Sequence, residues 1–177
     1  EFVQFNDQTV ELASLNLVAN QAGWGNATPV YGTSANNVIT GYQASDTLYG
    51  GDGNDNIDGS YGSDTIYGEN GADMLYGSYG ADFVHGGAGN DYIYGDLNTA
   101  NALDGDDTLI GGYGDDNIYG SGGTDTVLFN KDANGFVIHR FGASLYYIRD
   151  TNVDSEGYDR LDNVEFVQFN DQTIELA

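Results

Sequence analysis

From residue 32 to residue 128 the chain has one consistently apolar position in every nine. Ile39, Leu48, Ile57, Ile66, Leu75, Val84 and Ile93 recur at that spacing, and Leu109, Ile118 and Val127 resume it after an interruption. Glycine, aspartate, asparagine, serine and threonine fill most of the space between them. Neither a helical period nor a sustained period of two fits such a pattern. A strand of about three residues centred on each apolar position turns that side chain inward and its two neighbours outward. Nine residues then supply one short strand and one tight turn, and two such units close one coil. The expected fold is all-β, a right-handed parallel β-roll (β-solenoid) of about five coils with an antiparallel β cap. Equivalent strands would lie 18 residues apart in sequence and roughly 4.8 Å apart in space.

The roll is expected over residues 32–128, with the segment 95–101 (GDLNTAN) as a seven-residue loop insertion. Beyond it, the segments 136–141, 145–150, 164–170 and 172–176 read as antiparallel strands, the last two turning at Asn170-Asp171. Residues 129–177 are therefore expected to cap the unpaired edges of the last coil. Residues 14–31 are expected to cap the first coil, with Leu15, Leu17, Val18 and Trp24 over it, a degenerate nonapeptide at 23–31 and Pro29 at an edge.

Residues 1–13, EFVQFNDQTVELA, return as 165–177 with only Val10 replaced by Ile174. A unit of about 164 residues recurring in tandem explains this, with 1–13 as the end of a preceding unit or an N-terminal β-hairpin. The chain reads as part of something longer.

The sixth position of each nonapeptide is Asn37, Asp46, Asp55, Asp64, Asp73, Asp82, Asp91, Asp107, Asp116 or Asp125. In a two-unit coil these form two ladders. Asn37, Asp55, Asp73, Asp91 and Asp116 lie on one edge, and Asp46, Asp64, Asp82, Asp107 and Asp125 lie on the other. Carboxylates about 4.8 Å apart repel by roughly 1 kcal/mol per pair in water and by several times that when partly desolvated. A calcium ion with oxygen contacts of roughly 2.4 Å spans the same gap and reverses the sign. Glycines at positions one, two and four let the backbone turn tightly and offer its carbonyls as further ligands. Folding and metal binding are then one event. The weak places are the ends: Asn37 lacks the charge, the insertion falls beside Asp107, and Asp125 has no following turn.

Charge narrows the partners. The formal net charge is −24, and the basic residues are Lys131, Arg140, Arg149 and Arg160, all beyond the roll. Such a surface repels nucleic acid and anionic lipid and attracts cations. There is no cysteine and no long apolar run, so disulfides and a spanning helix are excluded.

These residues resemble the RTX, or haemolysin-type, calcium-binding repeat, whose pattern is G-G-x-G-x-D-x-U-x with U apolar. The pattern is complete at Gly50, Gly51 and Gly53, at Gly86, Gly87 and Gly89, and at Gly111, Gly112 and Gly114. Ser60, Glu69, Ser78 and Ser121 replace the second glycine elsewhere. The resemblance implies roughly six to eight calcium ions on the ladders. It also implies type I secretion from a bacterium and folding outside the cell or at its surface, where calcium is plentiful. The function it implies is a structural module of an adhesin, S-layer protein or extracellular filament, whose partners are calcium and copies of itself or tandem neighbours. The alternatives are a non-catalytic C-terminal secretion and folding module of a secreted protease, lipase or polysaccharide-modifying enzyme, or a module binding polysaccharide.

No catalytic constellation competes with this. His85 and His139 have no nucleophile beside them in sequence and read as packing or surface residues. The repeated carboxylates lack the single distinctive pair of a glycosidase, and no phosphate-binding loop motif occurs. Residues 130–141 begin like an EF-hand loop but end in Phe141 and read as a turn. Asn26-Ala-Thr28 spells a glycosylation sequon but is followed by Pro29. Outward tyrosines at positions nine and three read as stacking columns, and the threonines at position seven form a ladder broken by Phe83.

Overall fold

Short strands form where the apolar spacing puts them. The computed structural model describes residues 29–97, 103–151 and 157–176, together with the backbone of three earlier strands. Those three are β1 (Phe2–Phe5), β2 (Gln8–Glu11) and β3 (Asn16–Val18). The roll contains β4 (Val30–Thr33), β5 (Val38–Tyr42), β6 (Thr47–Asp52), β7 (Asn56–Ser60), β8 (Thr65–Asn70) and β9 (Met74–Tyr76). It continues through β10 (Phe83–Ala88), β11 (Tyr92–Tyr94), β12 (Thr108–Tyr113), β13 (Asn117–Tyr119) and β14 (Thr126–Leu128). After it come β15 (Phe136–Arg140), β16 (Leu145–Asp150), β17 (Tyr158–Asp162), β18 (Phe166–Gln168) and β19 (Thr173–Glu175).

Consecutive strands alternate between two sheets, which is the geometry of a parallel roll. One runs β19-β18-β14-β12-β10-β8-β6-β4 and the other β15-β16-β17-β13-β11-β9-β7-β5-β3. Position eight of every unit is fully buried: Ile39, Leu48, Ile57, Ile66, Leu75, Val84, Ile93, Leu109, Ile118 and Val127 are all at 0% exposure. The core is therefore one side chain deep from each sheet, and Ile57 pairs with Ile39 as Leu48 pairs with Ile66. The suggested cap side chains at Leu15, Leu17, Val18 and Trp24, most of 23–31 and Asn26 lie outside the described residues. The backbone of Leu17 nonetheless pairs in parallel with Ile39.

The flank beyond residue 128 is not purely antiparallel. Strands β15, β16 and β17 pair antiparallel in turn, as do β18 and β19. But β17 also pairs in parallel with β13, and β18 with β14, so both sheets run on by one further coil. Leu161 and Val167 extend the core columns at 0% exposure. The β15–β16 hairpin is thus an excursion within a coil, with Phe129, Phe136 and Phe169 packed beneath it at ring separations of 4.9 to 5.5 Å.

Outward tyrosines stack across neighbouring strands. Tyr31, Tyr49 and Tyr67 form one column at 4.8 and 5.0 Å, and Tyr76, Tyr94 and Tyr119 another at 5.0 and 4.6 Å. The second ends on the Arg160 guanidinium, 4.8 Å over the Tyr119 ring. Such stacking covers the sheet face with apolar area at each register step.

The turns depend on left-handed backbone. Ser60, Glu69, Ser78 and Ser121 adopt φ values of 74° to 81° at position two, a region costing a side chain on the order of 1 kcal/mol. At position four, Gly53 has φ 103°, and a Cβ there would lie 2.8 Å from the Ala35 carbonyl carbon. Gly53→Ala is expected to destabilise the calcium-loaded chain by more than about 2 kcal/mol in urea unfolding. Gly142→Ala, where a Cβ meets nothing nearer than 3.7 Å, should stay within about 1 kcal/mol of the parent.

Candidate metal centre

Each unit enters its strand at position seven; β9, β11, β13 and β14 end at position nine, whereas β5 to β8, β10 and β12 run on to position two or three of the next unit before the turn that ends at position six. That turn delivers the position-six side chain to the edge of the roll, where the coils are stacked in register. The predicted ladder residues all arrive there buried, with Asn37 and every ladder aspartate at 3% exposure or less.

The two oxygens of each carboxylate have different fates. Oδ1 accepts the backbone N–H of the ladder residue one coil earlier. Asp46 donates to Asp64 at 2.7 Å, Asp55 to Asp73 at 2.7 Å, Asp64 to Asp82 at 2.6 Å and Asp73 to Asp91 at 2.8 Å. Oδ2 has no hydrogen-bond partner at Asp55, Asp64, Asp73, Asp82, Asp91, Asp107, Asp116 or Asp125, and Asp46 has none on either oxygen. This second oxygen folds back over the position-one glycine. A Cβ at Gly77 would lie 2.6 Å from Asp82 Oδ2, and Gly50, Gly86 and Gly111 are blocked likewise by Asp55, Asp91 and Asp116. The glycines at positions two and four make room for backbone instead: Gly51, Gly87 and Gly112 each face a carbonyl of the preceding coil, as do Gly89 and Gly114.

Asn37 differs from the aspartates. Its backbone N–H donates to Asp55 Oδ1 at 2.6 Å, but its own Oδ1 accepts the Thr33 N–H at 2.7 Å. It holds the ladder position while its side chain serves the local turn.

Two of the weak places expected from the sequence are continuous in the structure. Across the insertion the register step lengthens to 25 residues, yet the Asp82 N–H still reaches Asp107 Oδ1 at 2.8 Å, as Asp91 reaches Asp116. The extra residues sit later than the spacing suggested. Gly95 occupies position one against Asp107, so the insertion follows Asp96 instead of preceding position one. At the other end Asp125 does have a successor: its N–H donates to Glu165 Oε2 at 2.8 Å, and the Asp116 N–H donates to Asp159 Oδ1 at 3.0 Å. Asp159 and Glu165 are ladder residues that the nonapeptide count missed. For Asp159 the signal is present: Gly157, Asp159 and Leu161 stand at positions four, six and eight, and Gly157 is left-handed at φ 98°.

Burial of acceptor-only groups sets the electrostatics. Desolvation is the main cause that pushes these carboxyls above the ordinary aspartate value of 3.8. Asp55 and Asp116 rise to about 6, and Asp64, Asp91 and Asp125 to about 7. Asp82 rises to about 8 and Asp107 to about 9, while Asp46 and Asp73 are also raised. Neighbouring ladder charges add to burial at Asp64, Asp82, Asp91 and Asp107, and the inter-coil N–H bond opposes it. A row of buried oxygens without donors, in a chain of net charge −24, is completed by cations. Oxygen ligands on a turn select hard ions such as calcium. Among the described residues no three His, Asp or Glu side chains converge into a cage, so the backbone has to complete each shell.

The RTX calcium-binding nonapeptide repeat matches in four copies, over residues 31–66, 49–83, 67–99 and 97–127. This chain belongs to the RTX calcium-binding repeat family. No curated protein matches it. The residues fit the family's ion: the donor-free Oδ2 atoms of the RTX ladders would hold calcium, which supplies the positive charge that the buried carboxylates lack. Among the described residues no helix is long and apolar enough to cross a membrane.

Two outcomes test the ladders. In excess chelator the folded chain keeps protons that the unfolded chain has released, so stability is greatest near pH 4 and falls as pH rises towards about 9. Calcium must displace those protons. Its apparent affinity should therefore drop between about pH 8 and about pH 5.5, with proton release in calorimetry, and equal affinity at both would contradict the assignment. Asp159→Asn should lower the melting temperature of the calcium-loaded chain, by about 1–3 kcal/mol of stability, although it lies outside the matched repeats.

Proposed function

We propose that this RTX roll is a calcium-locked structural unit of a secreted tandem-repeat protein of the adhesin, surface-layer or extracellular-filament type, and that it is not an enzyme. One observation carries the reading. The duplicated segment folds into the same hairpin twice in the same register: Phe2 faces Glu11, Val3 faces Val10 and Gln4 faces Thr9, as Phe166 faces Glu175, Val167 faces Ile174 and Gln168 faces Thr173. The second copy closes one sheet of the roll, and the first stands immediately before a new one. A hairpin that ends one roll and precedes another is the junction of a tandem array.

Chain length supports close contact at that junction. Only residues 12–15 separate β2 from β3, which pairs with β5 at the end of one sheet of the roll. Such a linker reaches at most about 18 Å, too short for rolls spaced along a flexible string. Successive units then abut, and the array is a rod whose rigidity depends on calcium.

Two measurements check this. At about pH 9, where the ladder carboxyls are ionised, circular dichroism should report a β-rich chain in calcium and an unfolded one in excess chelator, and a folded spectrum in chelator at that pH would sink calcium locking. A chain of two units joined at the 164-residue period should scatter X-rays in calcium as one rod of nearly doubled maximum dimension. A broad distribution of inter-unit distances would speak against the array, as would a parent gene with one copy behind a catalytic domain.

A further inference from the structure

Asp96 is an acid that the repeat does not call for. Gly95 occupies position one of the unit whose ladder residue is Asp107, so Asp96 stands at position two. On the same edge that position is otherwise Tyr42, Ser60, Ser78 or Ser121. Asp96 is 1% exposed, and neither of its carboxylate oxygens has a hydrogen-bond partner. The N–H groups of Gly105 and Gly122 lie near enough to favour its charged form without closing such a bond.

Asp96 and Asp104 flank the insertion 97–103. Asp104 bridges in parallel to Gly80, and its carboxylate lies against Gly122, where a Cβ would be 2.5 Å from Oδ2. Asp104 is the strongest charged neighbour of Asp96, followed by Asp125, and Asp96 in turn raises the ladder carboxyls of Asp82 and Asp107. Lys131 and Arg160 are engaged elsewhere, with Asp150 and Asp162. Buried carboxylate oxygens without donors, facing a second carboxylate, match a hard divalent cation.

We propose that Asp96 and Asp104 hold a calcium ion of their own, additional to the ladder ions, which clasps the root of the inserted loop to the edge of the roll. An ion shared by the two acids ties the residue before the insertion to the residue after it. The inference rests on calcium filling the ladders. A chain that takes up no calcium fails that reading, whereas a chain whose ion count is indifferent to Asp96 fails only this one.

Native mass spectrometry of the calcium-loaded chain counts the ions. Asp96→Asn and Asp104→Asn should each retain the β spectrum and bind one calcium fewer than the parent, and protease cleavage within 97–103 should accelerate in both. Asp96→Ser installs the residue found at Ser60, Ser78 and Ser121, and keeps the count testable should the asparagine variant fail to fold. Asp52→Asn, an acid on the outer surface, should leave the count unchanged. An unchanged count in both Asp96 variants overturns the proposal. So does the loss of two or more ions, which would make Asp96 a part of the ladder sites.

Discussion

In every ladder aspartate from Asp55 to Asp125 one oxygen accepts a backbone N–H from the coil before it, and the other has no donor. That division links the coils twice over. The bonded oxygen sets the register between successive turns with a charge-assisted hydrogen bond. The free oxygen concentrates negative charge along the edge until a cation enters. Two carboxylates one coil apart are a liability without calcium and a shared ligand set with it, so the same atoms oppose and complete the fold.

The rest of the roll follows from bringing those oxygens to the edge in every coil. The position-one glycine exists because Oδ2 lies where a Cβ would be, and the glycines at two and four exist because a carbonyl of the neighbouring coil lies there. Position two tolerates Ser60, Glu69, Ser78 and Ser121 at the cost of left-handed backbone. Within the roll each strand gives its position-eight residue to the core, which is there a pair of aliphatic columns. Insertions are confined to the turns: the 25-residue step past the loop leaves the ladder bond from Asp82 to Asp107 at 2.8 Å.

The ends show how such a stack is stopped and joined. Asp159 and Glu165 receive the last ladder N–H groups, and Arg160 closes a tyrosine column with its guanidinium. The β18–β19 hairpin then covers an edge with antiparallel pairing. Its duplicate in β1–β2 has the same register because the two sequences differ at one position, Val10 against Ile174.

Spacing along the chain is enough to place the period, the inward column and the two acidic ladders, because a nine-residue repeat assigns each of its positions one place in the coil. The antiparallel pairs after residue 128 were legible for the same local reason. What the period could not reveal lies where it breaks. Asp159 sits behind an inserted hairpin, and Glu165 follows a shortened turn, so only the stacking of β17 and β18 on β13 and β14 returns them to the ladders. Asp96 reads as loop in the sequence and becomes position two only when Gly95 settles against Asp107. The physical reason is common to all three: spacing along the chain dictates neighbours while the coil length is constant. Once residues are inserted, the inter-coil hydrogen bonds decide which side chains meet.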